Sequence, residues 1–222
     1  MKRLARARRI AIASAAIAIL LALPRAAAAQ TAFTAPGIEG YATFGNITFS
    51  AAESFETITG SSSGWLVGGG VRIGLGLGGL FFDVGAWRFR TEGERVFIYD
   101  DEVFPLGIPV DIAVTPLEIS GGWKFRLRRL PKFVPYVAAG FTSLQYQETS
   151  DAAMTGENAD ASYSGYHLIG GAEYKVRRWL GVGGEASWTT VPDAIGDSGV
   201  ANRFSDSDLG GTTLRLKITI GR

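Results

Sequence analysis

The sequence predicts an all-β protein, an eight-stranded antiparallel transmembrane β-barrel with short periplasmic turns and long outer loops. Three observations predict it. Apolar and polar residues alternate at every second position in eight segments, the period that sends neighbouring side chains to opposite faces of a strand. The one long apolar run lies at the extreme N-terminus, and no second run follows residue 23, so any crossing of a membrane by the remaining chain must use strands. The connections between the segments alternate strictly between short and long, which places both termini on the periplasmic side.

Residues 1–29 read as a secretory signal peptide. Lys2, Arg3, Arg6, Arg8 and Arg9 form its basic region, residues 10–23 its apolar stretch, and Ala27-Ala28-Ala29 the small-residue cleavage site. The apolar stretch is shorter than the about 20 residues that a spanning helix needs. Cleavage leaves residues 30–222 as one barrel domain with a short lead-in over 30–38. It also removes six bases and no acid, so that 22 Lys and Arg fall to 16 against 21 Asp and Glu, a net charge of −5. The basic pI of the whole chain therefore carries no argument for nucleic acid, and no basic patch interleaved with aromatics supports one. With no cysteine, a disulfide scaffold, a thiol nucleophile and a Cys-ligated metal are excluded. No cofactor is expected.

Strands are expected at 39–50, 64–74, 79–92, 109–126, 133–147, 162–176, 179–190 and 211–221. In the second, Trp65, Val67, Gly69, Val71 and Ile73 share the lipid face. In the third, Phe82, Val84 and Ala86 face lipid, and Trp87 and Phe89 break step, which predicts a bulge. Ile73 and Phe82 can pair with both facing outward only if the glycine-rich turn at 74–79 absorbs a residue. In the fourth, Val110, Ile112 and Val114 share one face, whereas Leu117, Ile119, Gly121, Trp123 and Phe125 require the other, which predicts a second bulge at Thr115-Pro116. The fifth is set by its hairpin partner, with Val137, Ala139 and Phe141 outward. Tyr166, Leu168, Gly170, Ala172, Tyr174 and Val176 form the outward face of the sixth, and Leu180, Val182, Gly184, Ala186 and Trp188 that of the seventh. The last strand is the clearest, with Leu214, Leu216, Ile218 and Ile220 outward and Thr213, Arg215, Lys217 and Thr219 inward. Glycine pairs inside several strands fit the sharp curvature of a small barrel. The five tryptophans, Trp65, Trp87, Trp123, Trp179 and Trp188, fit interfacial girdles.

Charge divides with the topology. The long connections at 51–63, 93–108, 148–161 and 191–209, with their flanks, hold Glu53, Glu56, Glu92, Glu94, Asp100, Asp101, Glu102, Glu148, Asp151, Glu157, Asp160, Asp193, Asp197, Asp206 and Asp208 against only Arg95 and Arg203. The short-turn end holds Arg126, Arg128, Arg129, Lys132, Arg177, Arg178 and Arg222. Such runs read as solvated faces, or as a surface that meets anionic headgroups through divalent cations or a cationic partner. Asp206-Ser207-Asp208 and Asp100-Asp101-Glu102 lack a full calcium-loop pattern. The remaining acids, Glu39, Asp83, Asp111, Glu118, Glu173 and Glu185, take inward parity, facing Arg72, Lys124, Lys175, Arg215 and Lys217 together with Arg88 and Arg90. An eight-stranded interior is just wide enough for side chains to fill, so these are expected to form a paired structural network. Glu185 and Arg215 lie at similar depth on adjacent strands and form the expected central pair.

The eight strands, the PYVAAGF stretch from Pro135, the YHLIGGAEYK stretch from Tyr166 and the charged-in, apolar-out last strand resemble small OmpA/OmpX/OmpW-like outer-membrane β-barrel domains over residues 37–222. The resemblance implies location in the outer membrane of a Gram-negative-type bacterium after signal cleavage. It implies outer-membrane lipids, lipopolysaccharide and the barrel assembly machinery as partners, and a monomer is expected. No peptidoglycan-binding domain follows the barrel, so a cell-wall tether is not expected. Gly221-Arg222 stands where the family carries a terminal aromatic assembly signal.

The expected role is structural or surface-interacting, exerted through the acidic outer loops of a barrel with a charge-filled lumen. The alternative is a narrow channel for small or hydrophobic solutes, as the OmpW-like resemblance implies. Lipid A modification is disfavoured, and no enzyme is expected. Similar barrels that deacylate lipid A place a serine two residues after the histidine, and here that position after His167 is Ile169. Ser162 and Ser164 have the wrong parity. The glycine run at 74–79 is followed by a strand rather than a helix, so a dinucleotide site fails its context.

Overall fold

The computed structural model describes residues 36–99, 102–150, 159–195 and 199–221. The signal peptide, the lead-in through residue 35, Asp100, Asp101, Asp151, Glu157, Asp197 and Arg222 lie outside them. In chain order the elements are β1 (Gly37–Phe49), α1 (Ala52–Thr59), β2 (Ser63–Gly74), β3 (Leu80–Tyr99), β4 (Glu102–Lys124), β5 (Phe133–Thr149), β6 (Ala159–Lys175), β7 (Leu180–Thr190), α2 (Gly199–Phe204) and β8 (Gly211–Gly221). The strands form one closed antiparallel barrel in sequence order, and pairing of β1 with β8 removes both sheet edges.

The alternation read from the sequence sets the outward face. Leu214, Leu216, Ile218 and Ile220 point out along β8, and Phe82 and Val84 do so along β3. Ile73 and Phe82 are register partners, each half exposed on the lipid side. The turn between them holds Gly76 and Gly78 at φ 72° and 63°, a backbone region that glycine enters without the penalty a side chain would bring.

Two bulges expected from the sequence are absent. The β4–β5 register runs unbroken from Asp111↔Thr149 to Lys124↔Tyr136, through Thr115 and Pro116. Trp87 and Phe89 continue the inward parity of β3 and are buried. Parity holds through both of these sites, and the chemistry of the two faces inverts instead. Towards the long-loop end the inside becomes apolar and the outside polar. Val110, Ile112 and Val114 turn inward to join Ile47, Phe49, Leu66, Trp87, Phe89 and Leu144 in one buried cluster. Asp111, Arg88 and Arg90 therefore point outward and are exposed, correcting their assignment to the lumen. Trp87 likewise leaves the aromatic girdle, while Trp65, Trp179 and Trp188 are exposed on the outer face.

The inversion has a simple cause in strand length. At about 3.4 Å per residue, the 20 residues of β3 and 23 of β4 far exceed the about 10 that cross a bilayer. The surplus stands in water, where a closed sheet must bury apolar side chains inside like any soluble barrel. The expected loop at 93–108 is mostly ladder, with pairs from Glu94↔Pro109 to Tyr99↔Glu102 and one irregularity between Glu94 and Val96. Pro105 and Pro109 are tolerated because β4 first pairs with β5 at Asp111, leaving one edge of the ribbon free.

Helix α1 closes the mouth. Phe55 stacks on Phe49 with ring centroids 4.0 Å apart, and Phe89 meets Phe49 edge-on at 5.0 Å. Ser54 donates to Asp206 Oδ2 from its backbone N (3.1 Å) and its Oγ (2.7 Å), tying the first long loop to the last. Asp208 accepts from Thr190 Oγ1, Val191 N and Gly210 N. These two acids brace the loops, and among the described residues no group of three potential ligands is placed to hold a metal.

Two substitutions separate the corrected register from the expected one. Phe89→Ala is expected to destabilise the barrel by about 3–5 kcal/mol by opening a cavity in the apolar layer, read as a shift of the denaturant midpoint in detergent. Asp111→Ala, exposed on the outer face, is expected to stay within about 0.5 kcal/mol of wild type; the same midpoint checks it.

Candidate functional site: the lumenal charge network

Below the apolar layer the inward positions of all eight strands converge on one polar network. Three clusters build it. In the first, Arg72 on β2 and Asp83 on β3 are register partners, with Nε donating to Oδ2 at 2.8 Å. Tyr41 on β1 donates from its phenol to Asp83 Oδ1 at 2.6 Å. The Arg72 guanidinium sits in the corner formed by the rings of Phe81 and Tyr136, which meet edge-on with centroids 6.1 Å apart, its Cζ 4.4 Å from each centroid. Contact with two aromatic rings stabilises a cation that has lost its water.

The second cluster joins β4, β5, β7 and β8. Glu185 and Arg215 are register partners, with Arg215 Nε 2.8 Å from Glu185 Oε1. Arg215 Nη1 donates to Glu118 Oε2 at 3.1 Å, and Trp87 Nε1 donates to Glu118 Oε1 at 3.0 Å. Glu185 Oε2 accepts from Lys217 Nζ at 2.8 Å and from the Tyr136 phenol at 2.6 Å. Lys217 also lies 3.7 Å from the Tyr41 ring centroid.

Nearest the short-turn end, Glu39 on β1 accepts from Lys124 of β4 and, at 2.7 Å, from Lys175 of β6. Lys175 reaches Glu173 at 2.6 Å, and Thr219 Oγ1 donates to Glu173 Oε1 at 2.8 Å. Glu173 Oε2 lies 4.0 Å from Arg72 Nη1, which joins this cluster to the first.

The structure thus brings together Glu39, Arg72, Asp83, Glu118, Lys124, Glu173, Lys175, Glu185, Arg215 and Lys217, and leaves Asp111 outside. Five cations meet five carboxylates, so the inner layer is neutral as a whole. That balance matters because one uncompensated charge in a low-dielectric interior costs several kcal/mol. Tyr41, Tyr136 and Trp87 complete the network; the sequence pointed to neither tyrosine for it and placed Trp87 at a bulge and in an interfacial girdle. Their inward parity was the available signal, since a phenol or indole among buried carboxylates supplies a donor without adding charge. Glycines make the room. A Cβ at Gly70 or Gly85 would come within 2.5 Å or 2.4 Å of the Tyr41 hydroxyl, and one at Gly171 within 2.6 Å of Tyr136 Cζ.

His167 sits beside this layer with 1% of its surface exposed. Its Nδ1 is 2.7 Å from Thr142 Oγ1. Nε2 has no hydrogen-bond partner among the described residues, and neither do the hydroxyls of Ser187 and Thr189, inward positions of the neighbouring β7. The imidazole is thus a lumen-facing polar group held by a threonine, with the apolar layer between it and the mouth.

Glu185→Ala leaves Arg215 and Lys217 without their shared carboxylate and is expected to destabilise the barrel by about 3–5 kcal/mol. Tyr136→Phe removes one donor to the same carboxylate and is expected to cost about 1–3 kcal/mol. Denaturant midpoints in detergent check both, and an unchanged Glu185→Ala midpoint would reject the pairing as a stabilising contact.

The closed eight-stranded architecture recurs in solved structures. The outer membrane protein OprG from Pseudomonas aeruginosa superposes with a TM-score of 0.51 at 10% identity, covering 84% of this chain and 95% of that one. Neisserial surface protein A superposes with a TM-score of 0.50 at 10% identity, covering 85% and 96%. At such identities the likeness is one of fold. The comparison with curated proteins returned no match. The model of the outer membrane protein beta-barrel domain matches residues 14–218. That match spans nearly the whole chain and agrees with the closed sheet and its apolar outer belt: the protein belongs to the outer membrane protein β-barrel domain family.

Proposed function

We propose that this barrel is plugged, and that it works as a structural and surface-interacting element of the outer membrane through its acidic outer loops. The carrying observation is that the lumen is filled twice. A neutral network of ten ionic side chains occupies the lower part, and the cluster of Ile47, Phe49, Phe55, Leu66, Phe89, Val110, Ile112, Val114 and Leu144 occupies the upper part. An ion would have to break buried pairs and then cross a dry layer. The buried setting of His167, held by Thr142, supports a role without catalysis.

The outer end presents Glu53, Glu56, Glu92, Glu102, Asp111, Asp160 and Asp193 to solvent. Carboxylates at this density attract divalent cations bridging to the phosphates of lipopolysaccharide, or a cationic partner. Delivery by a cleaved signal peptide, insertion by the barrel assembly machinery and a monomeric state complete the reading. Nucleic acid has no part in it.

Conductance across a planar lipid bilayer holding the refolded mature protein tests this. The expected record is silent in wild type. Discrete conductance steps that change in Glu185→Ala would overturn the plug and establish the narrow channel, with the lumenal charges as its filter.

A further inference from the structure

The short-turn end carries a second charged surface, of opposite sign. The β4–β5 turn at 125–132 reads FRLRRLPK and the β6–β7 turn at 176–179 reads VRRW. Arg126, Arg128, Arg129, Lys132, Arg177 and Arg178 are all exposed, and neither turn contains an acid. Because β5 and β6 are neighbours, the two turns adjoin, and the backbone N of Lys175 donates to Lys132 O at 2.8 Å. Each turn is also closed by its own backbone bonds, Leu130 N to Leu127 O at 3.1 Å and Arg177 N to Leu180 O at 3.0 Å. The remaining short turn, at 75–79, has no charged residue, so the basic groups collect on one side of the rim.

Interleaved with them are exposed Leu127, Leu130, Phe133, Val176 and Trp179. These side chains run on from the apolar belt that Tyr174 and Val182 continue along β6 and β7. A basic surface built for a water-borne polyanion would leave these groups wet. Placed at a membrane boundary, they enter the acyl region while the guanidiniums stand at the level of the headgroups.

We propose that the β4–β5 and β6–β7 turns together form a binding surface for the phosphate of an anionic phospholipid in the periplasmic leaflet. Guanidinium matches phosphate with two parallel charge-assisted hydrogen bonds, and five arginines on two hydrogen-bonded turns present that geometry with little loss of backbone freedom. The surface is separate from the lumen. It rests on membership of an outer-membrane barrel family and is indifferent to whether the barrel conducts.

The test places the refolded mature protein in nanodiscs of equal parts phosphatidylglycerol and phosphatidylcholine and measures, by native mass spectrometry, which lipid stays bound. A variant combining R126Q, R128Q, R129Q, R177Q and R178Q is compared after heat-modifiable gel mobility confirms that it is folded. Wild type is expected to retain phosphatidylglycerol about tenfold or more over phosphatidylcholine, and the variant to lose the preference. High salt during the exchange is expected to lower the wild-type preference. Equal retention of the two lipids by wild type would overturn the proposal, as would a preference that survives in the variant. With acidic peptidoglycan fragments added to the same discs, their retention by wild type and loss from the variant, while the lipid preference survives, would overturn the proposal and assign the surface to the cell wall.

Discussion

A closed β-barrel allows each residue only two places, inside or outside, and a continuous ladder makes that choice once for a whole strand. The constant offset of β3 against β4 from Leu80 to Glu94, and the unbroken register of β4 with β5 through Thr115 and Pro116, enforce it here. Everything else adapts to that constraint. Where the outside is lipid, apolar side chains point out and charges must find partners within. Where the outside is water, the same positions carry Arg88, Arg90 and Asp111, and the interior becomes a conventional apolar core. The molecule is two barrels on one set of strands, stacked end to end.

The lower barrel meets the cost of buried charge by neutrality and by aromatic contacts. Every strand contributes an ionic or phenolic group, so the network fixes the relative position of all eight. A hydrocarbon filling of the same volume would avoid desolvating ten charges, but it would make the inside and outside of each strand chemically alike. Charged-in and apolar-out is what makes a one-residue slip intolerable, because a slip would move Arg215 and Lys217 into lipid and Leu216 and Ile218 into the lumen.

Architecture and strand number were legible in the sequence because period-two alternation survives in β2, β6, β7 and β8 without interruption. The inner charges were legible by the same parity, from Glu39 through Lys217. Misreading began where the environment outside the wall changed. Val110, Ile112 and Val114 looked like a lipid face out of step, and a bulge was the natural repair, because alternation reports which residues share a face and not what that face touches. The β3–β4 ribbon was hidden for a related reason. Gly93, Pro105, Gly107 and Pro109 are turn residues in most contexts, and only a free sheet edge makes the prolines compatible with pairing. Tyr41 and Tyr136 fell between classes, being neither charged nor, at their positions, apolar.

The stacked arrangement gives the two storeys different thermodynamics. The upper one, with Phe49, Phe55 and Phe89 at its centre, is held by the aversion of hydrocarbon for water, which weakens on cooling. The lower one is held by Coulombic pairs shielded from solvent, whose desolvation cost grows as water cools, and by a backbone ladder that has no water to exchange with. The two storeys therefore answer temperature through different terms, the crown through water's exclusion of hydrocarbon and the stem through the hydration its charges have given up.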